Sequence, residues 1–164
     1  MKIGLGIDTH QLVSGNSIRL SGLEIPSDVS IQAHSDGDII YHSIADSILG
    51  AIGGGDIGDY FPDTDLHNKN IDSRLIVEFV IKKAMKEGYV LNNLDITLLL
   101  EKPKISSYKK KMKSNIIKIF NETAPHNSVN EKMINIKAST SESLGYIGKG
   151  EGVTCYCITS LVNV

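Results

Sequence analysis

Met1-Lys-Ile-Gly-Leu-Gly-Ile-Asp-Thr-His10 opens the chain. Its period-two alternation predicts a strand over 2–10, with Ile3, Leu5 and Ile7 on one face and Gly4, Gly6, Asp8 and His10 on the other. A carboxylate and an imidazole therefore leave one rigid element side by side. That arrangement suits a metal, which needs donors already ordered by the fold.

A third donor comes from the next apolar pattern. Ser35 and Asp38 stand in Ser-x-x-Asp spacing, which predicts a helix start, and Gly53-Gly54-Gly55 predicts its end, giving a helix over 36–52. Ile40, Ile44 and Ile48, flanked by Tyr41, Ala45 and Ile52, form its buried stripe. Asp38, His42 and Asp46 follow one another at four-residue steps on a separate polar stripe. A lone helix histidine is ordinarily a solvated or core-satisfied group. With Asp8 and His10 in the same chain, His42 is read as the third ligand of an Asp/His/His site that leaves a position open for water or substrate. Zinc fits that donor set, and manganese or ferrous iron would also fit it.

The bulk numbers set bounds on the rest. The 164 residues, 41% hydrophobic and 22% charged, make one domain over 1–164 with an ordinary core. No apolar run approaches the roughly 20 residues needed to span a bilayer. The first strand begins too early to leave room for a targeting peptide, so a cytoplasmic location is expected. A net charge of −2 argues against nucleic acid as the main partner. Lys109-Lys110-Lys111 and Lys113 read as the solvated face of an amphipathic helix backed by Tyr108, Met112, Ile116, Ile119 and Phe120. Cys155 and Cys157 share a face of an apolar strand and read as buried free thiols. Asn121-Glu-Thr123 matches a glycosylation acceptor and is read as chance, since a cytoplasmic location is expected.

Further elements are expected as a hairpin over 17–25 turning at Ser21-Gly22 and a helix over 71–87. That helix has Leu75, Phe79, Val80 and Ala84 inward and stops at Gly88. A strand over 94–100, a helix over 106–121 and strands over 132–138 and 152–162 follow. The pattern predicts an α+β fold (an α/β sandwich), one mixed sheet covered by about three helices.

Two further stretches carry chemistry. His34-Ser35 before the first helix and Ser139-Thr140-Ser141-Glu142 before a glycine-rich loop can meet phosphate oxygens, and Glu142 can hold a hard cation. The glycines fit neither a Walker loop nor a Rossmann fingerprint.

Four separated motifs occur in order: Gly4-x-Gly-x-Asp-x-His10, Ala33-His-Ser-Asp-Gly-Asp-x-x-x-His42, Gly55-Asp-Ile-Gly-Asp-x-Phe-Pro-Asp-Thr-Asp65, and Lys137-Ala-Ser-Thr-x-Glu142 followed by Gly150-Glu-Gly152. Through them the chain resembles the 2-C-methyl-D-erythritol 2,4-cyclodiphosphate synthase family of the non-mevalonate isoprenoid pathway, over essentially its whole length. The resemblance implies a homotrimer with active sites between neighbouring subunits. It also implies a cytidine diphosphate substrate, 4-diphosphocytidyl-2-C-methyl-D-erythritol 2-phosphate, cyclised with loss of CMP.

Carried over by position, the resemblance makes Asp8, His10 and His42 zinc ligands and gives Glu142 a magnesium or manganese ion on the diphosphate. His34 and Thr140 would stabilise the transition state, Ser35 would touch phosphate, and Asp8, Thr9 and His10 would also meet substrate. Asp56, Ile57 and Gly58, with Phe61, Pro62, Asp63, Thr64 and Asp65, would line the methylerythritol region. Leu100, Glu101, Lys102, Pro103, Lys104, Ile105 and Ser106 would form the cytidine pocket, completed by Ser139, Ser141, Tyr146 and Lys149. Lys149 and Tyr156 stand where many members of the family carry Arg and Glu facing the trimer's central cavity. Lysine lacks the bidentate fork of arginine. Two histidines and a carboxylate also describe ferrous oxygenases, but those sites sit in β barrels, whereas His42 is expected on a helix. A non-catalytic trimeric module that binds a diphosphate is the other rival.

Overall fold

A computed structural model describes residues 1–62 and 64–164, so Asp63, an expected substrate contact, lies outside the described residues. Strands β1 (Lys2–Ser14), β4 (Val29–Ile31), β5 (Tyr89–Leu99), β6 (Ile134–Ser139) and β7 (Gly152–Asn163) build one sheet in the order β4-β1-β7-β5-β6. Only the β5/β6 pair is parallel. Helices α1 (Ile39–Ile52), α2 (Ser73–Lys86) and α3 (Lys109–Thr123) cover this sheet, with a short α4 (Gly145–Gly148) in the last loop. The expected mixed sheet under helices is therefore present. The strands run longer than expected: β1 continues four residues past His10, and β5 begins five residues before 94.

The hairpin forms as expected, from β2 (Ser17–Leu20) and β3 (Leu23–Pro26), with Ser21 and Gly22 both at positive φ in the turn. The start of α1 differs from expectation. Its N-cap is Asp38, which accepts from Tyr41 N, while Ser35 lies outside the helix. Asp38 is fully buried because its carboxylate also accepts from Ser21 N at 2.9 Å and Gly22 N at 2.6 Å, docking the hairpin turn on the helix. Burial pushes this carboxyl up to about 6, against the three N–H bonds that act to lower it.

A carboxyl raised in the fold binds its proton more tightly there than in the unfolded chain. The stability it contributes is thus greatest below its ordinary value of 3.8 and falls as pH rises through about 6. Asp38→Asn turns an amide N–H toward Gly22 N–H, so a loss of about 2–4 kcal/mol is expected in a urea melt. That loss should shrink between about pH 4 and pH 6. An equal loss at both ends would mean that the N–H bonds outweigh burial.

Helix α2 is rotated from the expected face. Ile76, Val77, Val80, Ile81 and Ala84 are buried, whereas Leu75 and Phe79 are partly exposed. Helix α2 packs on α1, α3 and β5, and the stripe it buries there is the one rich in β-branched residues.

Strand β1 alternates as expected, but the buried face is the small one. Ile3, Leu5 and Ile7 are exposed on the outer side of the sheet together with Tyr156 and Ile158, and Gly4 and Gly6 lie under α1. A Cβ on Gly4 would sit 1.9 Å from Ser47 O, and one on Gly6 would sit 2.0 Å from Ser43 O. Helix α1 therefore rests directly on the β1 backbone. Cys155 and Cys157 are buried and unpaired on the same inner face.

Candidate metal centre and nucleotide pocket

The close approach of α1 to β1 brings His42 over the end of the small face. Asp8 Oδ2 lies 3.1 Å from His10 Nε2 and 3.3 Å from His42 Nδ1. One donor atom from each residue falls within 4.8 Å of the others, and among the described residues this is the one such cluster. All three side chains are half-buried, open enough for an ion to enter.

Each imidazole is oriented from behind. His10 Nδ1 lies 3.1 Å from Gln32 O, a carbonyl that can only accept, so in the neutral ring Nε2 presents its lone pair to the centre. His42 Nε2 lies 3.2 Å from Ser35 Oγ, leaving Nδ1 to face Asp8. Burial acts to raise the Asp8 carboxyl, but hydrogen bonds and charge from His10 and His42 overcome it and hold the group well below the usual carboxylate range. An oxygen that stays anionic between two imidazoles is a hard donor beside two borderline ones, a set that suits a divalent transition metal.

The triad forms the floor of a cleft of about 540 Å³ that includes His34, Ser35, Ile57, Gly58 and Phe61. Gln11, Gln32 and Asp46 also line it, and the sequence reading gave none of them a role there. Asp46 accepts from Ile57 N at 3.0 Å, tying the 57–61 loop to α1, and burial raises its carboxyl. Its four-residue step from His42 was the readable signal, whereas nothing in a sequence marks the Gln32 carbonyl.

Other expected contacts lie elsewhere. Thr9 points to the opposite face of the sheet from Asp8 and His10, where it bonds Thr154 Oγ1 at 2.9 Å; Tyr146 OH reaches the same atom at 2.8 Å. Asp56 caps the turn Ile57–Asp59, accepting from Asp59 N. Pro62 and Thr64 are exposed, and Asp65 accepts from His67.

Seven of the eleven residues expected at the cytidine line a second pocket, of about 170 Å³, and Lys102, Ser141, Tyr146 and Lys149 do not. Leu100, Glu101, Pro103, Lys104, Ile105 and Ser106 meet Ser139 and Thr140 there, with Lys109 and Ala138 in addition. Glu101 Oε1 accepts from Ser141 N at 2.9 Å, joining the two loops. Lys102 and Lys149 face an adjoining hollow beside the β4 edge, which shares Glu101, Pro103 and Lys104 with that pocket. Glu142 is exposed, outside the triad, with Thr140 Oγ1 donating to it at 3.0 Å. Its φ of 53° and the 66° of Ser143 place two side-chain-bearing residues in the left-handed region. The cleft over the triad and this second pocket share no lining residue within the chain.

Comparison with known proteins places this geometry in a family. The YgbB family profile matches residues 1–162. A 2-C-methyl-D-erythritol 2,4-cyclodiphosphate synthase from Chloroherpeton thalassium is 44% identical over 96% of this chain and 96% of its own length. The bifunctional IspDF of Campylobacter jejuni superposes with a TM-score of 0.91 at 36% identity, over 99% of this chain and 42% of that one. A CDP complex of IspF from Plasmodium falciparum superposes with a TM-score of 0.83 at 35% identity, over 99% of this chain and 96% of that one. No helix among the described residues is long and apolar enough to cross a membrane.

Proposed function

The chain belongs to the YgbB family, and on that premise we propose how its residues convert 4-diphosphocytidyl-2-C-methyl-D-erythritol 2-phosphate to 2-C-methyl-D-erythritol 2,4-cyclodiphosphate. The observation that carries the reading is the convergence of Asp8, His10 and His42 on one point at the floor of a cleft.

In this reaction an oxygen of the substrate's 2-phosphate forms a bond to the β-phosphorus. The bond from that phosphorus to the CMP oxygen breaks, and CMP leaves with the electron pair. The substrate supplies its own nucleophile, so the protein's work is positioning and charge neutralisation. When bound, zinc at the triad and magnesium or manganese at Glu142 supply positive charge to the diphosphate oxygens. The Gln32 carbonyl holds His10 in the tautomer a metal requires, and the Ser35 hydroxyl, which can accept from His42 Nε2, orients the second imidazole. His34 and Ser35 present polar groups to the cleft, and Ile57, Gly58 and Phe61 form its wall around the methylerythritol. Lys104 and the Ser139–Thr140 segment hold the cytidine end in the pocket they line; the CDP complex of the Plasmodium falciparum relative supports a cytidine diphosphate ligand.

Two features favour a homotrimer with sites between subunits. The two half-sites lie apart on one chain, and the outer sheet face carries an exposed row of Ile3, Leu5, Ile7, Tyr156 and Ile158 that a second copy could cover. A cytoplasmic location fits a biosynthetic enzyme of this kind.

With zinc and magnesium supplied, the purified protein should release CMP from the substrate. Absence of CMP would return the chain to the binding-module reading. Glu142→Gln should lower turnover by about 10²-fold or more, since the carboxamide loses the charge that holds a hard cation. Its melting temperature should stay within about 2 °C, because an exposed side chain paired only with Thr140 adds little packing. A parallel fall in stability would contradict the role.

A further inference from the structure

Phe79 leaves helix α2 on its exposed side, outside the buried stripe and outside the lining of the metal cleft. Its ring is nonetheless engaged twice. It lies edge-on to Phe61, with centroids 5.3 Å apart and planes at 87°, and tilts against Tyr60 at 5.2 Å. Phe61 is a wall of the metal cleft. Tyr60 is fixed on its other sides, its OH donating to Gly54 O at 2.7 Å and its ring lying 5.2 Å beneath Lys83 Nζ.

The loop 57–61 thus has two anchors on different helices. Asp46 of α1 accepts from Ile57 N at the loop's start, and Phe79 of α2 clamps Tyr60 and Phe61 at its end. The turn's own bonds, Tyr60 N and Phe61 N to Ile57 O, close it locally without fixing where it sits on the cleft. The edge-to-face arrangement is one of the two that aromatic pairs favour, so the Phe79 ring constrains the position of the Phe61 ring as well as covering it.

We infer that Phe79 is a positioning residue that acts through Phe61, holding the apolar wall of the metal cleft against the carbon skeleton of the bound phosphorylated polyol. The inference rests on the proposed cyclase reaction and deepens it by placing a substrate-holding device outside the site. The metal triad is anchored on β1 and α1 and does not depend on Phe79. Its loss should therefore separate substrate holding from metal holding.

The test compares Phe79→Ala and Phe79→Tyr with the wild-type protein, each loaded with zinc. Phe79→Ala should raise KM for CMP release about tenfold, equivalent to about 1.4 kcal/mol, with kcat within about twofold and zinc content unchanged. Phe79→Tyr keeps the ring and should restore KM. Amide exchange at Tyr60 and Phe61 should quicken in the Ala variant and return to normal in the Tyr variant, a readout that needs no turnover. An unchanged KM with unchanged exchange overturns the inference. So does a KM rise accompanied by loss of zinc and a general rise in exchange, which would make Phe79 a packing residue only. If the wild type releases no CMP, the cyclase reading falls, and exchange confined to 57–61 still decides whether Phe79 positions the loop.

Discussion

Replacing His42 by alanine is expected to abolish turnover, by about 10³-fold or more, while leaving the fold in place. The ring sits on the polar side of α1 with 16% of its side chain exposed, above a stripe of isoleucines that does not include it. Its loss therefore opens no core cavity, and stability should change by no more than about 1 kcal/mol. The triad, by contrast, loses one of three donors, and Asp8 and His10 alone hold a divalent ion poorly. If the ion stabilises the charge that builds on the diphosphate oxygens as CMP leaves by several kcal/mol, its loss costs about 10³-fold or more at 1.36 kcal/mol per decade.

Three measurements check this: zinc content after dialysis, CMP release, and CDP binding. CDP binding should weaken but persist, because its diphosphate loses the ion's charge while no triad residue lines the pocket formed by Leu100, Lys104 and Ser139. A variant that kept its zinc and most of its turnover would remove His42 from the site. An iron-loaded wild-type protein releasing no CMP would favour the oxygenase reading instead.

The parts of this site legible in the sequence were those carried by local periodicity. Asp8 and His10 share a side of β1 because strands alternate, and Ile40, Ile44 and Ile48 are buried because helices repeat every 3.6 residues. Contacts that cross the chain were not legible. Ser35 has a helix-start spacing, but the cap is Asp38, whose carboxylate is shared with a turn 16 residues earlier. On α2, apolar spacing alone could not choose between the Leu75/Phe79 stripe and the Ile76/Val80 stripe, because the choice depends on what α1 and β5 present. Thr9 matched a family position by its place in the motif, yet alternation puts it on the far side of the sheet from its neighbours. The pair Gly4-x-Gly6 carried a signal of another kind. Its glycines have no nucleotide to cradle, and they record where a helix lies on a strand.

That record leads to the second large effect, from Gly6→Ala. The new Cβ would lie 2.0 Å from Ser43 O and 2.7 Å from Ser47 N, both helix backbone atoms with no flexible end to move aside. The helix cannot simply slide, because Ser43 Oγ donates to Cys155 O at 3.2 Å and fixes α1 to β7 as well. Overpacking of this kind costs about 1–3 kcal/mol and occasionally more. At about 2–4 °C per kcal/mol for a chain of this size, the melting temperature should fall by about 2–12 °C. His42 immediately precedes Ser43, so any retreat of the helix carries the imidazole away from Asp8 and His10. Displacements near 1 Å in such a site cost about 10²-fold in rate, so zinc affinity and turnover should fall together. Gly50→Ala, on the same helix against the same strand, supplies the control. Its Cβ would meet nothing nearer than Leu5 O at 3.8 Å, and alanine favours the helix by up to about 1 kcal/mol. The two Gly→Ala changes should therefore shift stability in opposite directions. If Gly6→Ala proved as harmless as Gly50→Ala, close backbone contact would not be what holds His42 over the strand.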